Sequence, residues 1–185
     1  MLNHKGTITI ETERLLLRQF TMADAEPMFR NWASDNEVTK YITWPTHTSV
    51  EVTEAVLTDW TGSYSKPDFY NWAIVLKENG PEPIGNISVV HIKEKTLCAT
   101  MGYCMSRAHW GKGIMAEALT ELVAFLFDEV GCNRIEADHD VENPNSGKVM
   151  KKAGMTYEGT SRQSGRNNRG IVDICHWAIL KSDRQ

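Results

Sequence analysis

The sequence predicts a mixed α/β domain on a largely antiparallel central sheet of about six or seven strands, flanked by about four helices. Three observations carry that expectation. Residues 69–105 hold three runs rich in β-branched and aromatic residues, FYNWAIVLK, PIGNISVVHI and TLCATMGYCM, parted by the turns ENGPEP and KEK. That is the pattern of an antiparallel meander. One strand and two helical patterns precede it, and the rest of the chain alternates helix, strand, helix and two strands, an order that a doubly wound parallel sheet does not have. The chain has 185 residues and no repeat, low-complexity tract or linker, so residues 1–185 read as a single domain able to bury a sizeable core.

In order along the chain, ERLLLRQF (13–20) forms the first strand. MADAEPMFRNWASD comes next at helical spacing behind Thr21, a residue type suited to an N-cap. SVEVTEAVLTDWTGS gives the second helix, with Ser49 as cap and Glu51 and Glu54 near its positive end. After the meander, GIMAEALTELVAFLFDEV (113–130) carries one narrow polar stripe, Glu117, Thr120, Glu121 and Asp128, on an otherwise apolar surface. Such a helix is mostly buried, and Gly131 stops it. NRIEADHDV (133–141) returns to strand, and NSGKVMKKAG (145–154) is a short helix stopped by Gly154. MTYEGTSRQ and GIVDICHWAIL close the chain as two strands around the turn-rich SGRNNRG.

Composition excludes several function classes. An apolar fraction of 41% and a charged fraction of 24% are ordinary for a soluble globular protein. A net charge of −4 argues against direct nucleic-acid binding or attraction to an anionic membrane. No apolar run approaches the roughly 18 residues that a membrane span requires, and the opening MLNHKGTITIETER lacks the apolar block of a secretory signal. The expected location is the cytoplasm. Cys98, Cys104, Cys132 and Cys175 show neither CxxC spacing nor a cluster, so they read as buried free thiols in a reducing compartment, and no metal site is expected.

The segment HWGKGIMAEAL (109–119) sets Gly111, Lys112 and Gly113 between a strand and the start of the buried helix. Glycines let a ligand approach the backbone, and the first helical N–H groups lack internal partners. Those groups and the helix dipole favour phosphate or pyrophosphate, and Lys112 adds a mobile positive charge. A tight strand-to-helix connection would also use these glycines. The stretch is neither GxxxxGK[ST] nor GxGxxG, since Ala116 stands where a third glycine would be.

The same stretch resembles the acyl-CoA pyrophosphate loop of the GNAT N-acetyltransferases, in their RimJ/RimL-like branch. TERLLLR, PIGNISV, MGYCMSRAHWGKG and RIEADHDVENPNSGKVMKKAGM resemble four further segments of that branch in the same order, covering nearly the whole chain. The resemblance implies a sheet whose fourth family strand splays from the fifth to admit acetyl-CoA as co-substrate. It places the pantetheine arm along the backbone of Tyr103, Cys104 and Met105, and the pyrophosphate on Trp110, Gly111, Lys112, Gly113, Ile114, Met115 and Ala116. Trp110 stands where the wider superfamily has Gln or Arg, and the bulk of Met115 must point away from the phosphates. Asn143 and Ser146 match the branch's Asn-x-x-Ser, which implies amide contacts from Asn143 and contact of Ser146 with the CoA sulfur. Read from residue type alone, the same pair also suits a turn and helix cap.

The implied reaction is direct attack of a primary amine on the acetyl thioester, which needs a neutral amine, donors for the oxyanion and a proton for the thiolate. The backbone near Met105 is the candidate oxyanion donor and Ser146 the candidate acid, with Tyr157 a weaker one that otherwise packs in the core. The stretches that carry a glutamate base in some relatives here read CATMGY, with Thr100, and RQSGRNN, with no acid. Glu136, Asp138, His139 and Asp140 remain, and Glu136 is the leading candidate. Glu136, Asp138, Asp140 and Glu142 alternate, so an extended chain puts them on one face, either to draw in a cationic amine or as a solvated row, while His139 packs on the other face. An α-amine is far more often neutral near pH 7 than a lysine, which favours a peptide or protein N-terminus as acceptor. A polyamine or aminoglycoside is the alternative acceptor, and a non-catalytic acyl-CoA-binding domain the third reading. Arg162, Arg166 and Arg169 form a basic hairpin turn or a grip for acidic peptide, YITWPTHT, with Trp44 and Pro45, is a candidate acceptor wall, and a homodimer is compatible with the edge near the hairpin.

Overall fold

The structure is a computed structural model that describes residues 1–184. Its strands are β1 (Ile10–Glu11), β2 (Leu15–Arg18), β3 (Asn71–Leu76), β4 (Pro83–Lys93), β5 (Cys98–Met105), β6 (Arg134–Asp140), β7 (Thr156–Asn167) and β8 (Gly170–Leu180). The helices are α1 (Ala25–Met28), α2 (Asn36–Thr39), α3 (Val50–Ser63), α4 (Ile114–Phe125) and α5 (Pro144–Lys152). One eight-stranded sheet runs β1-β2-β3-β4-β5-β6-β8-β7. Every neighbouring pair is antiparallel except β5 and β6.

That exception shapes the molecule. The parallel pairing runs only from Cys98↔Arg134 to Met101↔Ala137. Beyond it β5 continues to Met105 and β6 to Asp140 without pairing to each other. The divergence begins opposite a bulge in β4, whose register shifts between Val89 and His91. A bulge bends and overtwists its strand pair. Val90 leans over Gly102, where an added Cβ would meet its Cγ1 at 2.8 Å, so the bend needs glycine there.

Apolar side chains fill both sides of the sheet centre. On one side Trp72, Ile74, Ile87, Ala99 and Ile135 pack against Leu119, Leu122 and Phe127 of α4 and its π-turn continuation, Leu126–Val130. On the other, Ala73 and Cys104 meet Phe20, Trp32 and Leu57 beneath α1 to α3. The second face of β6, β8 and β7 instead carries Glu136, Asp138, Asp140, His176 and Ser161, joined by hydrogen bonds and ion pairs. The β7–β8 turn reaches over that face: Asn168 donates its N–H to the Ile42 carbonyl and its amide to the carbonyls of Thr39 and Trp44.

Several elements depart from the expectation. The two-residue β1 brings the sheet to eight strands. The first helical segment breaks into a 3₁₀ turn (Met22–Asp24), α1 and a π turn (Phe29–Ala33). At its start Thr21 holds the N-cap position as expected, in a capping box whose Asp24 carboxylate accepts the Thr21 N–H. Ser49 stands at the N-cap of α3 without a side-chain cap bond. β7 runs through most of SGRNNRG, leaving a turn of only Asn168 and Arg169 between the strands. Tyr157 is exposed rather than in the core, with its ring against Trp177 and its hydroxyl bonded to Thr160.

Gly85 of β4 faces Met105, and a Cβ there would lie 2.5 Å from the Cys104 carbonyl oxygen and 2.8 Å from Met105 Cα. Both are backbone atoms that cannot rotate aside. Gly85→Ala is expected to destabilise the fold by about 1–3 kcal/mol, the usual cost of overpacking, measured by urea unfolding.

Candidate functional site

The cradle is built where β5 ends. Ser106 returns its N–H to the Ile84 carbonyl, and the Trp110 indole donates to the Met105 carbonyl at 2.8 Å, tying the turn after β5 to the strand. Gly111 and Gly113 both lie in the left-handed region, at φ 76° and 77°, which glycine enters without steric cost. Among the described residues the backbone N–H groups of 111 to 116 donate to no backbone carbonyl, and the first such bond is Glu117 N–H to Gly113. Lys112 is exposed beside them, whereas Ile114, Met115 and Ala116 turn buried side chains into the core.

Glu117, in the first turn of α4, would oppose an anion there. Arg14 removes that conflict. Its guanidinium and its N–H both bond the Glu117 carboxylate, Thr12 adds its hydroxyl, and Arg14 also donates to the Lys112 carbonyl at 3.2 Å. Burial alone would push the Glu117 carboxyl up, but these bonds outweigh it and hold it below its usual range. The helix N-terminus therefore keeps its positive character for a ligand. Neighbouring His109 is held below its ordinary pKa by burial and by Lys112, so it stays neutral.

α5 closes the opening on the core side. Asn143 holds the N-cap position at φ −111°, but its side chain makes no cap bond. The Ser146 hydroxyl does not cap either; it shares a hydrogen bond with the Tyr103 hydroxyl across the splay at 2.9 Å, and Tyr103 also lies 3.2 Å from the Ser146 carbonyl. Burial pushes the Tyr103 phenol far up, which keeps it protonated and a donor. Gly147 sets the approach of α5: a Cβ there would meet His139 Nε2 at 2.7 Å. His139, whose Nδ1 pairs with the Asp140 carbonyl, is thus wedged between helix and sheet.

The acidic row on the opposite face is largely neutralised. Glu136 accepts from Lys93, Thr100 and Arg134. Burial would raise its pKa, but those three donors prevail and hold it at about 2. The Asp140 side chain is fully buried and accepts from Glu142 N–H, Asn167 and Arg169. Asp138 pairs with His176. Glu142 falls in the turn after β6 rather than in the row. Arg169, besides its Asp140 pair, lies over the Tyr41 ring. It borders a cavity of about 520 Å³ with Thr43, Arg166, Asn167, Asn168 and Gly170. Arg162 is exposed on β7. Trp44 is half-buried against His47, next to exposed Pro45.

Three contributors leave no mark in the sequence: the Tyr103 hydroxyl, Arg14 with Thr12, and the His176 imidazole. Each acts through a partner more than fourteen residues away, and no local spacing encodes such pairs. All four cysteines are buried and unpaired, with burial pushing the Cys104 thiol up to about 12. Among the described residues no three His, Cys, Asp or Glu side chains converge as a metal site, and no helix is long and apolar enough to cross a membrane.

Comparison with known proteins fits this geometry. The sequence profile of the acetyltransferase (GNAT) domain matches residues 14–156. The chain is 31% identical to the uncharacterized N-acetyltransferase p20 of Bacillus licheniformis, over 95% of this chain and 97% of that one. The crystal structure of an acetyltransferase of the same family from Bacillus anthracis superposes with a TM-score of 0.83 at 26% identity, covering 95% and 99% of the two chains. RimL, a ribosomal L7/L12 alpha-N-protein acetyltransferase solved with coenzyme A, shares the fold at a TM-score of 0.82 and 20% identity, over 94% and 98%.

The Glu136 network makes acid stability testable. Its carboxyl falls from an ordinary 4.5 to about 2 on folding, so its contribution is present above pH 4.5 and is lost as pH drops towards 2. Glu136→Gln is expected to flatten the loss of stability across that window, read from unfolding midpoints between pH 5 and 2.

Proposed function

Since the chain belongs to the GNAT acetyltransferase family, whose members take acetyl from acetyl-CoA, we propose that it transfers that group directly to the N-terminal α-amine of a peptide or protein. The observation that carries the reading is the parting of β5 from β6 after Met101↔Ala137, leading straight to the unpartnered N–H groups of residues 111–116. A slot with one extended backbone wall and an anion cradle at its end suits a long thioester with a pyrophosphate. Acetyl-CoA brings the activated acyl group; the protein holds, polarises and protonates.

In this reading the N–H groups from Gly111 to Ala116, with Trp110 and Lys112 at the rim, bind the pyrophosphate. The backbone of Tyr103, Cys104 and Met105, with the Asn143 amide opposite, aligns the pantetheine arm. An N–H near Met105 faces the developing oxyanion. Ser146 protonates the leaving thiolate, and the Tyr103 hydroxyl, bonded to Ser146 Oγ, resupplies the proton. Glu136 serves neither as base nor as amine trap, because a carboxyl held at about 2 takes up no proton near neutrality and its charge is taken by Lys93 and Arg134.

The acceptor can be argued from acid–base magnitudes. An α-amine with a pKa near 7.8 is about one-third neutral at pH 7.5, against roughly 0.1% for a lysine near 10.4. A site whose carboxylates are already paired works more readily on the former. The likeness to RimL, an alpha-N-protein acetyltransferase, supports the same acceptor class, and Tyr41, Trp44 and the β7–β8 turn offer a wall for a peptide.

Thiol release from acetyl-CoA is expected with free N-terminal peptides and not with their N-acetylated forms, polyamines or aminoglycosides. Release with polyamines or aminoglycosides alone would overturn the peptide assignment. Ser146→Ala is expected to lower kcat about 10²-fold while the acetyl-CoA Kd, by calorimetry, changes less than about threefold. Gly113→Ala should do the reverse, because forcing a side chain into the left-handed region costs about 1–2 kcal/mol and distorts the cradle, weakening binding.

A further inference from the structure

Three side chains on adjacent strands line up across the second face of the sheet. Asp138 of β6 stands directly opposite His176 of β8, and its Oδ1 lies 2.6 Å from His176 Nδ1. His176 Nε2 lies 2.9 Å from the Ser161 hydroxyl of β7. With Asp138 ionised, Nδ1 carries the proton and donates it to the carboxylate, so Nε2 accepts from Ser161. The acid sits on one ring nitrogen and the hydroxyl on the other, the arrangement that orients an imidazole to take up a proton.

Its position matters as much as its order. Asp138 is the first β6 residue beyond Ala137, where β5 and β6 part. It lies on the face away from Ser146, and that is the face left for an acceptor, because α4 and α5 occupy the other. Along the same row Glu136 is held by Lys93, Thr100 and Arg134, and Asp140 is fully buried under Arg169 and Asn167. The Asp138 and His176 side chains are 42% and 38% exposed, open to a substrate. A strained bulge comes just after Ser161: the pairing jumps from Ser161↔Ile174 to Gly165↔Val172, and Gln163 sits at φ 50° with its N–H pinned to Asp173. Bulges of this kind re-aim side chains beside active sites.

Resting on the acetyl-transfer reading above, we propose that His176, oriented by Asp138 and reached through Ser161, accepts the proton of the incoming amine. The α-ammonium gives one proton to the Ser161 hydroxyl as that hydroxyl passes its own to Nε2. The neutral nitrogen then bonds the acetyl carbon, the carbon–sulfur bond breaks with its electron pair on sulfur, Ser146 protonates the thiolate, and the second nitrogen proton leaves to solvent as solvent restores the one lost through Ser146 and Tyr103. The imidazolium returns its proton to solvent. Asp138 is a positioning residue that holds Nδ1 and so aims Nε2 at Ser161. The other charged groups around the ring are Glu158 of β7, and Lys93, Arg134 and Glu136, which share a cavity of about 240 Å³ with His176. Arg134 is paired with both Glu136 and Glu158, and Lys93 with Glu136, leaving Asp138 the one carboxylate bonded to the ring among the described residues.

The test is the pH profile of kcat/KM for thiol release with an N-terminal peptide. Wild type should keep its activity to lower pH than the His176 variants. His176→Gln should fall at least tenfold near pH 6.5 and recover as pH approaches the amine's own pKa, with the acetyl-CoA Kd unchanged and with partial rescue by added imidazole for His176→Ala. Asp138→Asn and Ser161→Ala should each lower kcat/KM several-fold near pH 6.5 with the acetyl-CoA Kd unchanged, and both should approach wild type as pH nears the amine's own pKa. His91→Gln, an exposed imidazole on β4, should leave the profile intact. A His176→Gln profile parallel to wild type would overturn the inference while leaving acetyl transfer standing. No thiol release by wild type with any α-amine peptide would overturn both. Should His176→Gln fail to fold, as judged by lost acetyl-CoA binding, Asp138→Asn decides: a kcat/KM near pH 6.5 equal to wild type overturns the proposal.

Discussion

Everything in this molecule hangs on two parallel strands that stop pairing early. β5 and β6 share four residue pairs and then separate, and the cause lies one strand away, in the β4 bulge that sets Val90 over Gly102. A sheet that stayed zipped would bury its backbone groups in its own ladder and leave nothing for a ligand. By parting, β5 keeps one edge bonded to β4 and offers the other. The Trp110–Met105 hydrogen bond and the two left-handed glycines then turn that edge directly into a helix N-terminus.

Charge is arranged with similar economy. Acids that would repel an anion or trap a cation are occupied by arginines and a lysine: Glu117 by Arg14, Glu136 by Arg134 and Lys93, Asp140 by Arg169. These pairs contribute less to stability than their number implies where they are exposed. Their effect is to decide where net charge remains. It remains positive at the cradle, with Lys112, and beside the parting of the strands it leaves Asp138 with only His176 as partner among the described residues.

Much of this is legible in the sequence, and the reason is local. Turn chemistry and period place α3, β8 and the meander nearly to the residue, and the glycines at 111 and 113 mark the cradle because left-handed backbone favours one residue type. Fold membership is carried by five ordered segments. The features that stay hidden are assembled by pairing. Nothing near Tyr103 announces that its hydroxyl meets Ser146, and nothing in DICHWAIL announces that His176 stands across from Asp138. That contact needs the register of three strands at once. The broken first helix is hidden for a related reason: Asp24 bonds backward to Thr21 and sideways to Arg18, and tertiary hydrogen bonds of that kind override helical propensity.

The three hydrogen bonds from Asn168 to the carbonyls of Thr39, Ile42 and Trp44 join segments more than 120 residues apart. Closing so long a loop is entropically slow and comes after the local hairpins and α4 are in place. The parting of β5 from β6 and the turn that follows β5 use segments closer in sequence, which meet before the Asn168 junction closes. The same asymmetry operates in reverse in the folded protein: a junction of three surface hydrogen bonds opens at far lower free energy than the core. Opening at Asn168 frees the β7–β8 turn from the Thr39–Trp44 segment alone, while the rest of the sheet keeps its shape.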